Sequence, residues 1–325
     1  MKKKIFLGYL IIIIATFVVP VALTMFSPTE LNTFAENEEM NEEESKALLS
    51  IPVFSQQTGK TTNENMEEYL VGVVAAEMPA SFELEALKAQ AVAARSYIIS
   101  KLDKENDVHP DAVVCDDPAH CKAYLSLDVA KEKWGKKWES DFYSKIKAAV
   151  DETSGEYLSY DKRAVQAFFF ALSNGKTESA EDVWGSELPY IKSTESNFDI
   201  ASPDFNSVKE ISISDFNNGL KSFLNEYKPS DKVQIGAINY TKGGRVKDIK
   251  INGKVFKGTD IRNIFSLNSA DFSIKQENDK VIFNVKGKGH GVGMSQFGAN
   301  ELAKQGYNYK EILEYYYNDI EISNM

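Results

Sequence analysis

Cysteine and histidine are scarce in this 325-residue sequence, and basic residues are fewer than acidic ones. It contains two Cys and three His, and its 37 Lys and Arg are outnumbered by 48 Asp and Glu, a net charge of −11. Two cysteines exclude a disulfide framework, and the acidic balance argues against a nucleic-acid partner, which requires a basic surface. With 19 Gly and 9 Pro the chain is not collagenous or low-complexity. The 43% hydrophobic content, including 19 Phe and 15 Tyr, predicts a folded domain with a substantial core.

One long apolar run is present, at residues 5–26, directly after three lysines at positions 2–4. A run of about 20 apolar residues spans a bilayer, and flanking lysines stay on the cytoplasmic side. We therefore predict that residues 1–4 are cytoplasmic, that residues 5–26 form a single-pass membrane anchor, and that the remainder is extracytoplasmic. The alternative is a cleavable signal peptide with a weak cleavage site at residues 33–35.

The rest of the chain divides into an acidic segment and a patterned region. Residues 27–45 include six glutamates between positions 36 and 44, and we predict a solvated spacer. Residues 46–325 mix helical and strand patterns, which indicates one domain of the α+β class with a helical segment packed on a mixed β-sheet. A helix followed by two strands around a Gly-Gly turn predicts an inserted or second smaller lobe at about residues 205–265.

A glutamate interrupts the apolar stripe of the first predicted helix, at about residues 65–78. Leu70, Val73 and Val74 are followed at helical spacing by Glu77, just before Pro79. Burial and the negative end of the helix dipole would both raise the pKa of this carboxyl group, as a general acid requires. The pattern alone leaves a second interpretation open, in which Glu77 is the structural partner of a lysine or arginine.

An arginine occurs in the second predicted helix, at about residues 83–102, which is otherwise apolar and rich in alanine. Arg95 either pairs with Glu77 or belongs to the substrate-binding residues, and the sequence does not separate the two.

Three metal-binding residue types are evenly spaced in a loop rich in Asp and Pro. His109, Cys115 and Cys121 follow one another at intervals of six residues. Three such ligands, completed by water or a carboxylate, suit Zn²⁺. His120 is a reserve ligand, because two adjacent residues seldom reach the same ion. The alternatives are a disulfide between the two cysteines, which would close a short loop, and free thiols.

Two further segments present polar side chains. Hydroxyl groups at Ser173, Thr177 and Tyr190 surround a tryptophan, a combination suited to a saccharide. A glycine-rich turn at residues 287–293 lacks the dinucleotide-binding spacing, and its glycines instead let the backbone pass close to another part of the protein. We expect this turn to present His290 and Gln296, which we include among the candidate substrate-binding residues.

Five segments together resemble the stage II sporulation protein D family, which also includes modifier proteins of cell-wall amidases. In the family's order they read VAAEMP at residues 74–79, LKAQAVAARSY at 87–97, SNGKT at 173–177, VWG at 183–185 and GHGVGMSQ at 289–296. The resemblance covers most of residues 64–320.

The resemblance implies a peptidoglycan lytic transglycosylase that acts during engulfment in sporulation. Such an enzyme cleaves bonds between N-acetylmuramic acid and N-acetylglucosamine in glycan strands stripped of their peptides, and it leaves 1,6-anhydro ends. The resemblance further implies a location in the engulfing mother-cell membrane. As partners it implies the amidase stage II sporulation protein P and the membrane protein stage II sporulation protein M.

The same resemblance assigns roles to single residues. Glu77 matches the family's catalytic glutamate, Thr177 and Tyr190 match its substrate cleft with Ser173 nearby, and the Cys/His loop matches a zinc site of some members, which favours a structural ion. Two other functions remain open: a non-enzymatic amidase activator in which Glu77 pairs with Arg95, and a hydrolytic glycosidase, which needs a second carboxylate.

Overall fold

The computed structural model describes residues 50–102, 104, 108–117 and 120–325. The predicted cytoplasmic segment, membrane anchor and acidic spacer lie outside these residues. Within the described part of the chain, no helix has the length and apolar character needed to cross a membrane. Residues Ile51–Met325 form one compact unit that combines α-helices with small sheets, and this confirms the α+β class.

The described residues contain nine α-helices, and the two that carry the central motifs end within a few residues of their predicted bounds. They are α1 (Met66–Glu77), α2 (Leu84–Ile99), α3 (Leu127–Trp134), α4 (Tyr143–Asp151), α5 (Ala180–Trp184), α6 (Ile213–Phe223), α7 (Gly258–Ile264), α8 (Gln296–Lys304) and α9 (Tyr309–Tyr316). A π-helical turn at Trp138–Phe142 precedes α4, and a 3₁₀ helix occupies Asn197–Ala201.

The strands are short. They are β1 (Ser50–Ser55), β2 (Lys60–Asn65), β3 (Val114–Cys115), β4 (Glu156–Tyr160), β5 (Arg163–Ala164), β6 (Phe169–Phe170), β7 (Asn206–Ser212), β8 (Ile235–Tyr240), β9 (Val246–Ile251), β10 (Lys254–Lys257), β11 (Phe272–Glu277), β12 (Lys280–Lys286), β13 (Met294–Ser295) and β14 (Glu321–Asn324).

These strands form several small sheets, so the prediction of a single mixed sheet beneath the site was wrong. Their orders are β2-β1-β3, β10-β9-β8, β11-β12-β7, β13-β6 and β14-β4-β5. Strand β6 pairs in parallel with β13. Since β13 lies between Gly293 and the start of α8, it offers only two residues for pairing.

Helix α2 lies at the centre of the main body and contacts α1, α4, α8, α9 and β4. Small side chains line it and permit this close packing from several sides. All five are buried: Ala86, Ala89, Ala91, Ala93 and Ala94. Helix α1 begins at Asn65, whose side chain accepts hydrogen bonds from the amides of Glu67 and Glu68.

A buried ion pair joins α1 to α2. Arg95 donates from Nε and Nη2 to the two carboxylate oxygens of Glu67, at 2.8 and 2.5 Å, and from Nη1 to the carbonyl of Glu156 at 2.9 Å. Glu67 lies in the first turn of α1, about 15 Å along the helix from Glu77. The predicted pairing of Arg95 with Glu77 is therefore wrong. The guanidinium is fully buried, which leaves Arg95 no surface for contact with a substrate.

Residues 206–286 form the second lobe, built from β7–β12, α6 and α7. Its core is a cluster of aromatic and aliphatic side chains in which Phe216 stacks on Phe265 with ring centroids 5.0 Å apart. The predicted bounds of about 205–265 overlap most of this region. The lobe continues to Lys286 because β11 and β12 complete the antiparallel sheet begun by β7.

A second buried ion pair connects the lobe to the main body. Arg245 Nη1 lies 3.2 Å from Glu178 Oε1, and the hydroxyl of Thr241 donates to the same oxygen at 2.7 Å. A Cβ atom at Gly243 would lie 2.3 Å from this oxygen, so the close approach requires glycine. The pair fixes the start of β9 beside the segment that precedes α5.

The buried pair between Glu67 and Arg95 makes a testable contribution to stability. We expect Glu67→Gln to lower the free energy of unfolding by about 3–5 kcal/mol, because the arginine stays charged in a site without water. Urea titration measures this loss. Lys147→Ala is the control: it removes an exposed pair with Asp151 and should change the free energy by less than about 1 kcal/mol. Equal losses in the two variants would contradict the assignment.

Candidate active site

Glu77 is the last residue of α1, and the chain turns away directly after it. Met78 is extended, with φ −121° and ψ 142°, as expected for a residue that precedes proline. The half-buried side chain of Glu77 therefore lies at the open end of the helix. Its Oε1 accepts a hydrogen bond from the amide of Ala123 at 3.0 Å.

The segment that supplies this amide crosses α1 at a glycine. A Cβ atom at Gly72 would lie 2.3 Å from the ring of Tyr124, and the amide of Leu125 donates to the carbonyl of Gly72 at 3.2 Å. The ring of Tyr124 also stacks on Tyr69 at 4.8 Å. Only glycine permits so close a crossing, which carries the backbone after the Cys/His loop to Glu77. Nothing in the sequence near Gly72 indicates this role, since the contact spans 52 positions of the chain.

A second element reaches Glu77 from the C-terminal part of the chain. Gln296, the first residue of α8, hydrogen-bonds to the Glu77 carboxylate and donates to Gln90 Oε1 at 3.2 Å. A contact between Gln296 and a substrate stays a prediction. Ser295 caps α8 by accepting a hydrogen bond from the amide of Gly298 at 3.2 Å.

A buried aspartate holds the start of α8 in place. Asp199 accepts hydrogen bonds from the hydroxyls of Ser295 (2.6 Å), Ser196 (2.6 Å) and Ser173 (2.8 Å), and from the amide of Ser173 (3.1 Å). Sequence reasoning missed Asp199, because nothing near a single aspartate marks it as the centre of a network. Ser173 is fully buried here, so its predicted contact with a substrate is not met by this geometry.

The other two predicted hydroxyls are also turned inward. Thr177 is fully buried, and its Oγ1 accepts a hydrogen bond from the amide of Thr194 at 2.8 Å. Tyr190 is 8% exposed, and its hydroxyl accepts from the amide of Gln166 at 3.2 Å. Thr177 therefore supports the wall of the site from within, while a contact between Tyr190 and a substrate stays a prediction.

Burial dominates the electrostatics around Glu77. It raises the pKa of the Glu77 carboxyl above its ordinary value, against the opposing effects of the Lys122 charge and the hydrogen bonds from Ala123 and Gln296. It also lowers the pKa of Lys122 to about 8. The Lys122 ammonium lies 4.0 Å from the ring centroid of Phe169. Among the described residues, no carboxylate contributes to the shift at Glu77.

His290 is held as a neutral ring. Its Nδ1 accepts a hydrogen bond from the amide of Val292 at 3.1 Å, and the ring also bonds to the carbonyl of Phe169. Burial, followed by the charges of three nearby cations, lowers the pKa of His290 to about 3. Since Nδ1 is the acceptor, the proton lies on Nε2.

The glycine-rich turn makes the close approach that its sequence predicted. Gly291 and Gly293 have φ values of 88° and 80°. A Cβ atom at Gly293 would lie 2.0 Å from the carbonyl oxygen of Phe168, and one at Gly291 would lie 2.3 Å from the guanidinium carbon of Arg245. The turn therefore packs directly against the main body and the second lobe.

A groove of about 1120 Å³ begins at His290 and follows the second lobe, lined on one side by Trp184 and on the other by α7 and the start of β9. Trp184 is 44% exposed, and its ring contacts those of His290 (5.4 Å) and Phe168 (4.5 Å). The ring of Phe168 in turn lies 5.5 Å from the ammonium of Lys122, the neighbour of Glu77. A continuous set of side chains thus links the groove to the carboxylate.

The Cys/His loop forms a group that can hold a metal ion. Ligand atoms of His109, Cys115 and His120 all lie within 4.8 Å of one another. His120 Nδ1 lies 3.3 Å from the sulfur of Cys115 and 3.5 Å from that of Cys121. The ring of Phe54 on β1 stacks on His109 at 3.8 Å, which packs the loop against the first sheet.

This geometry changes the predicted ligand set. His120, expected only as a reserve, takes the third position because its Nδ1 turns back towards both sulfurs, and Cys121 lies beside the group. Both cysteines are free thiols, which contradicts the disulfide alternative. Imidazole nitrogen and thiolate sulfur are the donors that tetrahedral zinc sites use, so the residues present fit such an ion.

Comparison with known proteins identifies the family. A family model described as stage II sporulation protein matches residues 55–160, the part that contains Glu77 and the Cys/His loop. The chain is 41% identical to stage II sporulation protein D of Bacillus subtilis (strain 168) over 276 residues, 85% of this chain and 79% of that protein. The chain belongs to the stage II sporulation protein D family. The resemblance drawn from its five motifs is thereby confirmed.

Two further relatives show the breadth of the family. Stage II sporulation protein D of Bacillus amyloliquefaciens is 39% identical over 277 residues, again 85% of this chain and 79% of that protein. A protein of Bacillus subtilis (strain 168) named amidase enhancer is 28% identical over 299 residues, 76% of this chain and 39% of that longer protein. Membership therefore connects this chain with sporulation and, more distantly, with a protein named for its effect on an amidase.

The raised pKa of Glu77 predicts a pH-dependent stability difference. An unfolded glutamate ionises near pH 4.3, whereas the folded carboxyl holds its proton to higher pH, so folding stability is lost as the pH rises from that value through the folded pKa. Glu77→Gln carries no ionisable group. We expect its free energy of unfolding to exceed that of the wild type by a margin that grows from pH 4 to pH 8.

Urea titrations at pH 4, 6 and 8 measure this margin. Glu132→Gln, on an exposed face of α3, is the matched control, and we expect no comparable gain there. A margin for Glu77→Gln that shrinks as the pH rises would show that the carboxylate is stabilised by its surroundings, contrary to the structure.

Proposed function

We propose that this protein is a peptidoglycan lytic transglycosylase that cleaves bonds between N-acetylmuramic acid and N-acetylglucosamine in peptide-stripped glycan strands. The observation that carries the proposal is the state of Glu77: a desolvated carboxyl group with a raised pKa, on which no other carboxylate of the described residues acts. It is linked by packed side chains to a groove large enough for several sugar rings. Family membership supports a role for this chemistry in sporulation.

The reaction needs one carboxyl group that acts twice. Protonated Glu77 donates its proton to the glycosidic oxygen as the bond to the muramic acid C1 breaks. The resulting carboxylate then takes the proton from the C6 hydroxyl of the same sugar, whose oxygen attacks C1 and closes the 1,6-anhydro ring. General acid–base catalysis of this kind supplies about 10²–10⁴-fold in rate, and the attack is intramolecular. Glu77 ends the cycle protonated, and no water is consumed.

The surroundings of Glu77 suit both halves of the cycle. Burial keeps the carboxyl protonated before bond cleavage, while the charge of Lys122 and the donors on Ala123 and Gln296 stabilise the carboxylate once it forms. A hydrolase of the usual type would need a second carboxyl group to activate water or form a covalent intermediate. Ring closure needs only one carboxyl group, and Glu77 with its raised pKa can supply it.

The groove supplies a surface for the glycan. The exposed ring of Trp184 gives a face on which a sugar can stack, and the neutral His290 ring lies beside it. Ser173 and Thr177 are engaged in hydrogen bonds within the fold, and a contact between Tyr190 and the glycan remains part of the proposal.

The proposal extends to location and partners. We place the protein in the engulfing membrane of the mother cell, anchored by residues 5–26, with residues 46–325 outside the cytoplasm. There it would act on strands stripped by stage II sporulation protein P, in a complex with stage II sporulation protein M. Family membership and the lysine-flanked apolar run support this placement.

One observation favours a second candidate function. A relative of this chain is named amidase enhancer, which is consistent with a non-enzymatic activator that binds an amidase or glycan. In that case Glu77 would matter only for folding, and its replacement would leave amidase stimulation unchanged.

We also propose that His109, Cys115 and His120 hold a structural Zn²⁺, with Cys121 as the fourth donor. Bound there, the ion would crosslink the loop that leads into Lys122 and Ala123, the residues that act on Glu77. The loop would thus keep the acid's partners in place while the chain's own side chains carry out the reaction.

Product analysis tests the reaction. The full chain in detergent is incubated with amidase-stripped glycan strands, and the products of wild type and Glu77→Gln are compared by mass spectrometry. We expect anhydro-muramic ends from the wild type and at least about a hundredfold fewer from the variant, which has no carboxyl proton to donate.

Reducing ends that carry an added water would identify a hydrolase. Equal cleavage by both proteins would contradict the role of Glu77, and no cleavage with intact amidase stimulation would support the activator.

Metal analysis of the purified chain tests the ion. We expect about one zinc per wild-type chain and almost none in Cys115→Ser. A chelator should lower the thermal midpoint of the wild type but not that of Cys115→Ser. His290→Gln, a histidine outside the group, is the control and should retain its metal. A wild-type protein without zinc would refute the site.

A further inference from the structure

The groove beside Trp184 is basic although the chain as a whole carries a net charge of −11. Five cations line it, against three carboxylates. The cations are Lys242, Arg245, Lys247, Lys257 and Arg262. A groove lined mainly by cations concentrates anions, even where the rest of the protein is acidic.

Two of the three carboxylates are engaged within the protein. Asp182 accepts a hydrogen bond from the hydroxyl of Ser179 at 2.9 Å, and Asp248 accepts one from the amide of Asn239 at 2.7 Å. Neither of these two hydrogen bonds comes from a cation of the groove. Arg245 is paired with Glu178, but no ion pair within the described residues involves any of the other four cations of the groove.

Arg262 is a cation of the groove without an acceptor among the described residues. It is half-buried on α7, and no carboxylate or other acceptor among the described residues bonds to its guanidinium. Burial and the neighbouring charge of Arg245 both lower its pKa, yet an arginine side chain stays charged in proteins. None of its nitrogens is among the buried atoms that lack a partner, so the guanidinium is accessible from the groove and can bind an anion through charge-assisted hydrogen bonds.

Arg245 lies beneath the same groove. It is almost fully buried, and only its Nη1 is used, on Glu178 and the carbonyl of Lys176. Its Nε and Nη2 have no hydrogen-bond partner in the described part of the structure. Both nitrogens are buried against Gly291, where an added Cβ atom would lie 2.6 and 2.7 Å from them, so they do not reach a ligand in the groove.

The fold presents Arg262 rigidly. Its neighbour Ile261 is fully buried in the core of the second lobe, which fixes the rotation of α7. Lys257, directly before this helix, lines the same groove. An anion held here would lie on the lobe side of the groove, opposite the exposed face of Trp184.

We infer that Arg262, with Lys257 at the same groove, binds the lactyl carboxylate of muramic acid residues in stripped glycan strands. This inference rests on the proposed function. Hydrolysis of the bond between the lactyl group and its peptide turns a neutral amide into a carboxylate on every second sugar. A guanidinium binds a carboxylate through two parallel charge-assisted hydrogen bonds. Arg262 therefore binds a carboxylate that is present only where the peptide has been removed. This makes it a specificity-determining residue.

Binding measurements test this without any cleavage. The full chain carrying Glu77→Gln is titrated against fluorescently labelled stripped strands and against the same strands with their lactyl carboxylates capped as methylamides. We expect the capped strands to bind at least about tenfold more weakly, the size of one charge-assisted hydrogen bond. Adding Arg262→Ala should give the same weak affinity for both strands, whereas Arg262→Lys should restore part of the difference.

Lys209→Ala, which removes a cation of the same lobe outside the groove, is the matched control and should keep the full difference. Discrimination that survives Arg262→Ala, or equal binding of both strands by the parent protein, would overturn the inference. If the parent discriminates but the wild type yields no anhydro ends, the proposed reaction fails while the carboxylate site stands.

Discussion

The ion pair between Glu67 and Arg95 ties α1 to α2, the central helix of the main body, and α1 carries Glu77 at its opposite end. Arg95 also bonds to the carbonyl of Glu156 on β4, so one guanidinium joins two helices and a strand. A buried pair of this kind costs more to break than it contributes when intact, because either partner alone would be a buried charge. The position of the candidate acid therefore depends on a contact that lies about three helical turns away from it.

Around Glu77 the fold assembles groups from distant parts of the chain. Ala123 arrives because Gly72 lets a loop cross α1, and Gln296 arrives because Asp199 anchors the start of α8. Together with Lys122 these groups enclose the carboxyl enough to raise its pKa while leaving donors ready for the carboxylate. The same loop contains the Cys/His group, so a metal ion bound there and the chemistry at Glu77 would be mechanically connected.

Much of the local structure was readable from periodicity and end signals. Helices α1 and α2 lie close to their predicted places, and the Glu77 motif and the glycine-rich turn were found by inspection of the sequence. Three features were not. The sheets are several and small, Arg95 pairs with Glu67, and Ser173 and Thr177 are consumed by internal bonds. Each of these depends on which distant segment becomes a neighbour, and a pattern along one stretch of chain carries no information on that.

The sequence by itself determined the family, the acidic character, the candidate acid and the residue types of the Cys/His group. The tertiary structure decided which of these side chains are free to act. Gly72, Lys122 and Asp199 acquire their roles only when segments far apart in sequence are packed together, and Arg262 stands out only because no acceptor among the described residues reaches it. The physical reason is that desolvation and hydrogen-bond satisfaction are properties of a packed environment, whereas spacing is a property of the chain.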